Sequence, residues 1–199
     1  MRRAIVGCAA ALAAAGLVFA QAPQRVPRET ASANVGGKKV EINYGRPALK
    51  GRPLGDLMKQ LPEDRIWRAG ENEVTILKTE GDLTLGAKKV AAGSYSVYVH
   101  IPESGDWSLV LNSDPGIELA KLVPNREFPP ERASLRWPRL DGYTKNVADK
   151  EVARAAMKPA SVSAPADAFL IALAAAKGSA TLTMSWADKS YSIDLKPAK

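Results

Sequence analysis

Strict alternation of polar and apolar side chains constrains this chain most. In Ser94-Tyr95-Ser96-Val97-Tyr98-Val99-His100-Ile101, the odd-numbered residues share one face and the even-numbered ones the other. A period of two is the signature of a strand. Pro102 to Asp106 is a loop of hairpin length, and Trp107 to Leu111 returns as the antiparallel partner. The pattern recurs in Thr181-Leu182-Thr183-Met184-Ser185-Trp186 and, after Ala187-Asp188-Lys189, in Ser190-Tyr191-Ser192-Ile193-Asp194-Leu195. Leu182, Met184 and Trp186 are expected to face a core together with Tyr191, Ile193 and Leu195.

Shorter runs extend the pattern. Lys39 to Tyr44 alternates with Val40, Ile42 and Tyr44 inward, and Val74 to Leu77, Leu83 to Leu85 and Lys88 to Val90 read as strands around glycine turns. A short helical turn fits between Leu54 and Leu61, closed by Pro62. Glu151 to Met157 reads as a strand, whereas the alanine-rich stretch 168–176 suits helix and strand equally. Five prolines, at 115, 124, 129, 130 and 138, make 112–138 a long irregular excursion. Short strands punctuated by Gly, Pro and Asp, with no regular helix-strand alternation, predict an all-β fold: an antiparallel sandwich or barrel-like single domain over 31–197.

The first residues carry an address. Arg2 and Arg3 precede an apolar run from Ala4 to Phe19 that closes on Val18-Phe19-Ala20, the form of a signal peptide cleaved after Ala20, and 21–30 reads as a flexible lead-in. The expected location is periplasmic or secreted, with no membrane span after cleavage. Cys8 lies too early in the apolar run for lipoprotein processing, and it is the only cysteine of 199 residues. The mature chain therefore has no disulfide, thiolate metal site or cysteine nucleophile, and a single histidine, His100, excludes multi-histidine metal sites. No metal or other cofactor is expected. The net charge of +7 falls to +5 without residues 1–20, with 26 basic side chains interspersed among 21 acidic ones. That is a mixed surface, so nucleic acid is not an expected partner.

No phosphate loop, dinucleotide fingerprint, nucleophile elbow or zinc-protease helix is present. Chemistry-bearing residues concentrate in YGRPALKGRPLGDLMKQLPEDRIWRAGENEVT, residues 44–75. Glycines at 45, 51, 55 and 70 with Pro47 and Pro53 describe a shaped loop. In one reading, Arg46, Arg52 and Arg68 grip a carboxylate, phosphate or acidic sugar while Trp67 offers a stacking face. In the other, the arginines pair with Asp56, Asp64, Glu71 and Glu73 to pin the loop, and Trp67 is core. The candidate binding residues are Tyr44, Arg46, Lys50, Arg52, Trp67, Arg68, Asn72 and Glu73. A small anionic or carbohydrate ligand is the expected partner. Glu73 and His100 are the acid-base candidates of an alternative reading as an envelope-polymer hydrolase, and association through exposed strand edges is a third.

These motifs together, Y-x-R-P-x-x-K-G-R from Tyr44, W-R-x-G-x-N-E-x-T from Trp67, A-G-x-Y-S-x-Y from Ala92, W-x-L-V-L-N from Trp107 and the hairpin from Gly178 to Trp186, resemble domain-of-unknown-function family 2911 of exported bacterial proteins. Glu71, where a small residue is expected, and the proline-rich 112–138 stretch depart from the pattern. The resemblance implies a compact all-β exported domain, favours strand for Phe169 to Leu173, and brings no established activity.

Overall fold

The computed structural model describes residues 28–139, 142–162 and 164–199. The expected signal peptide and its expected cleavage after Ala20 lie outside them. Among the described residues there are fifteen strands: β1 (Arg28–Val35), β2 (Lys38–Gly45), β3 (Ile66–Trp67), β4 (Ile76–Thr79), β5 (Leu83–Leu85), β6 (Lys88–Val90), β7 (Gly93–His100), β8 (Ser108–Asn112), β9 (Ile117–Glu118), β10 (Arg136–Trp137), β11 (Glu151–Ala156), β12 (Lys158–Pro159), β13 (Ala166–Ala176), β14 (Ser179–Ala187) and β15 (Lys189–Pro197). Four short helices join them: α1 (Leu54–Met58), α2 (Leu119–Leu122), α3 (Pro130–Ala133) and α4 (Tyr143–Asn146). No helix among the described residues is long and apolar enough to cross a membrane.

The larger strands form two antiparallel sheets packed face to face, a sandwich rather than a closed barrel. Sheet 1 runs β1-β2-β4-β7-β8-β11, with β3 also on β7; sheet 2 runs β13-β14-β15-β5-β6, with β12 also on β15. The alternation read from the sequence supplies the core. Val40, Ile42, Leu77, Val97, Val99, Leu109 and Leu111 point inward from sheet 1, and Phe169, Ile171, Leu182, Met184 and Leu195 from sheet 2. All are buried, as apolar faces of paired sheets must be. The β7/β8 and β14/β15 hairpins pair as expected, the second with Leu182 opposite Ile193 and Met184 opposite Tyr191. In sheet 2, β15 is flanked by β14 on one side and β5 on the other.

Two expectations change, the alternative left open for 168–176 is decided for strand as the resemblance favours, and one further face is covered. The lead-in does not extend to residue 30: β1 begins at Arg28, whose guanidinium is fixed by the Asn43 Oδ1 (2.8 Å) and by the carbonyls of Asn43 (3.2 Å) and Val74 (3.1 Å). Ladder bonds to β2 and this anchorage outweigh the polar composition that marks a loop. The 168–176 stretch is strand throughout: β13 lies at the end of sheet 2, where alanines on its outward face need bury little. The 112–138 excursion contains α2, α3 and a small β9/β10 ladder, joined to the rest where the Val74 N–H donates to the Arg136 carbonyl at 2.9 Å. Finally, the outer face of β7 is also covered: Tyr98 packs with Ile66, Val110, Tyr143 and Val147, the last two from α4 and the residue after it.

Candidate functional site

The 44–75 segment folds over one end of the sandwich. It leaves sheet 1 after β2, crosses as α1, returns as β3 against β7 (Trp67 opposite Val99), and rejoins the sheet as β4 between β2 and β7. Residues 68–75 therefore bulge out between two strands that share a neighbour. Close backbone approach holds this bulge: a Cβ on Gly45 would fall inside the Glu71 carbonyl oxygen, and one on Gly70 would lie 2.7 Å from the Thr75 Oγ1. The Thr75 hydroxyl donates to the Ala69 carbonyl at 2.9 Å. Among the described residues, four of the five non-glycine residues with left-handed φ lie in the segment: Lys50, Arg65, Ala69 and Asn72. Arg65 ties it down further, donating from Nε to the Ile101 carbonyl (3.0 Å) and from Nη1 to the Met58 carbonyl (2.9 Å).

Between α1 and the bulge lies a cleft of about 470 Å³. Its apolar side is Leu57, Met58, Leu61 and Ile66, and its aromatic side is Trp67 with Trp186. The two indoles stack at 5.1 Å between centroids, and Phe169 meets Trp67 edge-on at 4.7 Å. The Trp186 Nε1 donates to the Asp167 carbonyl at 3.2 Å, which fixes that ring. The polar lining consists of Arg52, Gln60, Arg68 and Glu71.

The sequence-derived candidates divide into two groups. Arg52, Trp67 and Arg68 line the cleft. Arg52 spends Nε and Nη2 on the carbonyls of Leu49 (3.0 Å) and Ala48 (3.4 Å). Arg68 makes no hydrogen bond or ion pair among the described residues; burial pushes its guanidinium down from the ordinary value, and the Glu71 charge opposes that. An arginine keeps its proton regardless, so the cleft holds a partly desolvated cation.

The remaining candidates do not line the cleft. Tyr44 is buried and donates to the Glu29 Oε2 (3.2 Å), whose Oε1 receives the Arg46 Nη1 (2.7 Å). Burial pushes the Tyr44 hydroxyl up, so it serves as a neutral donor. Glu73 is buried and paired with the Arg28 Nη1 at 3.3 Å. Asn72 occupies a left-handed turn at φ 65°, and Lys50 is exposed, fixed through its N–H to the Asp167 Oδ1 at 3.1 Å. The ion-pair reading thus describes Arg46, although with Glu29 rather than the acids expected, and the ligand reading describes Arg68. Glu71 lines the cleft, whereas Glu73 is paired with Arg28. His100 is paired opposite Ile66 at the end of β7 and does not line the cleft; burial and the charges of Arg154 and Arg65 push its imidazole down. Among the described residues no group of three or more His, Cys, Asp or Glu is placed to hold a metal ion.

Sequence reasoning missed the apolar wall of α1 and Trp186. Leu57, Met58 and Leu61 carry a helical spacing that usually marks core, and Trp186 stands far from Trp67 in the chain, joined to it only by the packing of the two sheets.

A family profile described as protein of unknown function (DUF2911) matches residues 26–195. Neither the curated proteins nor the solved structures contain a match to the chain.

Proposed function

The chain belongs to the DUF2911 family of proteins of unknown function, and from that premise we propose that it is a binding domain of the cell envelope that holds a small anionic or sugar-like ligand in the cleft under α1. The observation that carries this is Arg68: a guanidinium partly withdrawn from water, beside two stacked indoles, with no carboxylate or carbonyl bonded to it among the described residues. A desolvated charge left unpaired is costly, and an anion entering the cleft removes that cost. The cleft volume of about 470 Å³ lies within the roughly 300–1,000 Å³ of small-molecule sites. The envelope address rests on the leader read in residues 1–20.

The test is a thermal-shift screen of the protein against carboxylates, phosphates and sugars. A ligand at about 100 times its Kd should add roughly 2.7 kcal/mol of stability, a rise of several degrees in Tm. Arg68→Ala should abolish the shift while leaving the unliganded Tm within about 2 °C. Absence of a shift with every compound, or a shift that survives Arg68→Ala, would remove the cleft as the binding site.

A further inference from the structure

The composition of the cleft narrows its occupant, granted the reading just given. Three charged side chains line it: Arg52, Arg68 and Glu71. Their formal sum is one positive charge, which a monoanion cancels and a dianion reverses. A phosphate monoester dianion placed on Arg68 would carry its second charge beside Glu71, in a site where solvent screens poorly. Hydroxyl-rich sugars meet a different obstacle. Much of the remaining wall is Leu57, Met58, Ile66 and the ring faces of Trp67 and Trp186, which neither donate to nor accept from a hydroxyl; of the two indole N–H groups, that of Trp186 is already given to the Asp167 carbonyl, which leaves the Trp67 Nε1 as a single donor. Arg52 likewise gives two of its nitrogens to backbone carbonyls. Sugar hydroxyls turned toward that wall would lose water without replacement.

We infer that the occupant is an apolar monocarboxylate, with its carboxylate on the free guanidinium of Arg68 and its aryl or acyl body between α1 and the Trp67/Trp186 pair. A planar guanidinium takes a carboxylate through two parallel hydrogen bonds, and an apolar body gains by leaving water for this wall. Glu71 acts as the selectivity element that turns dianions away.

The experiment titrates the full protein, by calorimetry and tryptophan fluorescence, with octanoate, 3-phenylpropionate, phenyl phosphate, glucuronate and glucose 6-phosphate. Octanoate or 3-phenylpropionate should bind, the better of the two identifying the body as acyl or aryl, and phenyl phosphate should bind at least about tenfold more weakly. Arg68→Gln should weaken carboxylate binding at least about tenfold with unchanged circular dichroism, and Arg68→Lys should recover part of it. Glu71→Gln should narrow the gap between phenyl phosphate and the carboxylates. If glucuronate or glucose 6-phosphate binds in an Arg68-dependent way and the apolar carboxylates do not, this inference fails while the anion-binding reading stands. If carboxylates bind equally well to Arg68→Gln, or none of the probes binds, both fail.

Discussion

Arginines at one end of the molecule are put to different uses by what stands around them. Arg28 knots β1 to β2 and to the 68–75 bulge, Arg46 answers Glu29, and Arg68 is left for solvent or a ligand. Among the acids, Asp114 is only 3% exposed and receives the Lys150 Nζ at 2.8 Å and the Gly116 N–H at 2.8 Å, with Arg139 at 3.9 Å. Burial alone would raise its carboxyl, but Lys150, Gly116 and Arg139 outweigh burial and hold it below the ordinary value. A carboxyl whose folded pKa lies under its unfolded one contributes stability that is complete above about pH 4 and disappears as pH falls through the folded value. Asp114→Asn should therefore flatten the acid limb of stability below about pH 4, measured by urea unfolding between about pH 2 and 6, and cost on the order of 1–3 kcal/mol at pH 7. Parallel acid limbs in variant and wild type would refute this role. At this scale the sequence marks which residues matter more clearly than what they do. Tyr44 and Arg46 stand out as candidate ligand contacts, yet their partner Glu29 lies in a polar, proline-flanked stretch whose strand is visible only once β2 is beside it.

Among the elements, the bulge between β3 and β4 depends on glycines chosen for closeness. Gly45→Ala would set a methyl group inside the Glu71 carbonyl, backbone against backbone, where no side chain can swing away. The expected loss is about 2–4 kcal/mol in chemical denaturation, together with loss of any ligand-induced shift. Gly55→Ala in α1, where a Cβ meets nothing within 4 Å, should instead stabilise by about 0.5–1 kcal/mol. Equal effects of the two substitutions would contradict the close-packing argument. Elements differ in legibility for the same reason that they differ in structure. β14 and the later part of β15 alternate because one face is buried and the other less so, and a period of two results, whereas β7 alternates in residue type although both of its faces are covered. β13 carries alanine on both faces and has no such contrast, while β3, β9 and β10, with two residues each, are too short to have a period at all.

For the whole molecule, Phe169 ties the two sheets together. Its ring is fully buried and meets Tyr44 of sheet 1 edge-on at 5.8 Å, Trp67 at 4.7 Å and Trp186 of sheet 2 at 5.7 Å. One side chain thus joins the two sheets and supports the aromatic side of the cleft. Phe169→Ala should cost about 3–5 kcal/mol in denaturant unfolding and weaken ligand binding, whereas Leu85→Ala, also in the core but not against the cleft, should cost about 2–5 kcal/mol and leave the affinity of the surviving folded protein intact. A Phe169→Ala protein with full affinity would separate the cleft from the core. The all-β architecture was legible because patterning decides layers; the cleft was not, because its walls come from α1, β3 and β14, and their meeting is a property of how sheets stack.

The placement of β15 between β14 and β5 also sets an order of events in synthesis. The strands β5 and β6 are made early, but among the described residues they reach the rest of sheet 2 only through β15, the last of the described strands to be made. Until then β5 and β6 lack the strand that joins them to β13 and β14. Sheet 2 is therefore complete only once nearly all of the described chain has been made.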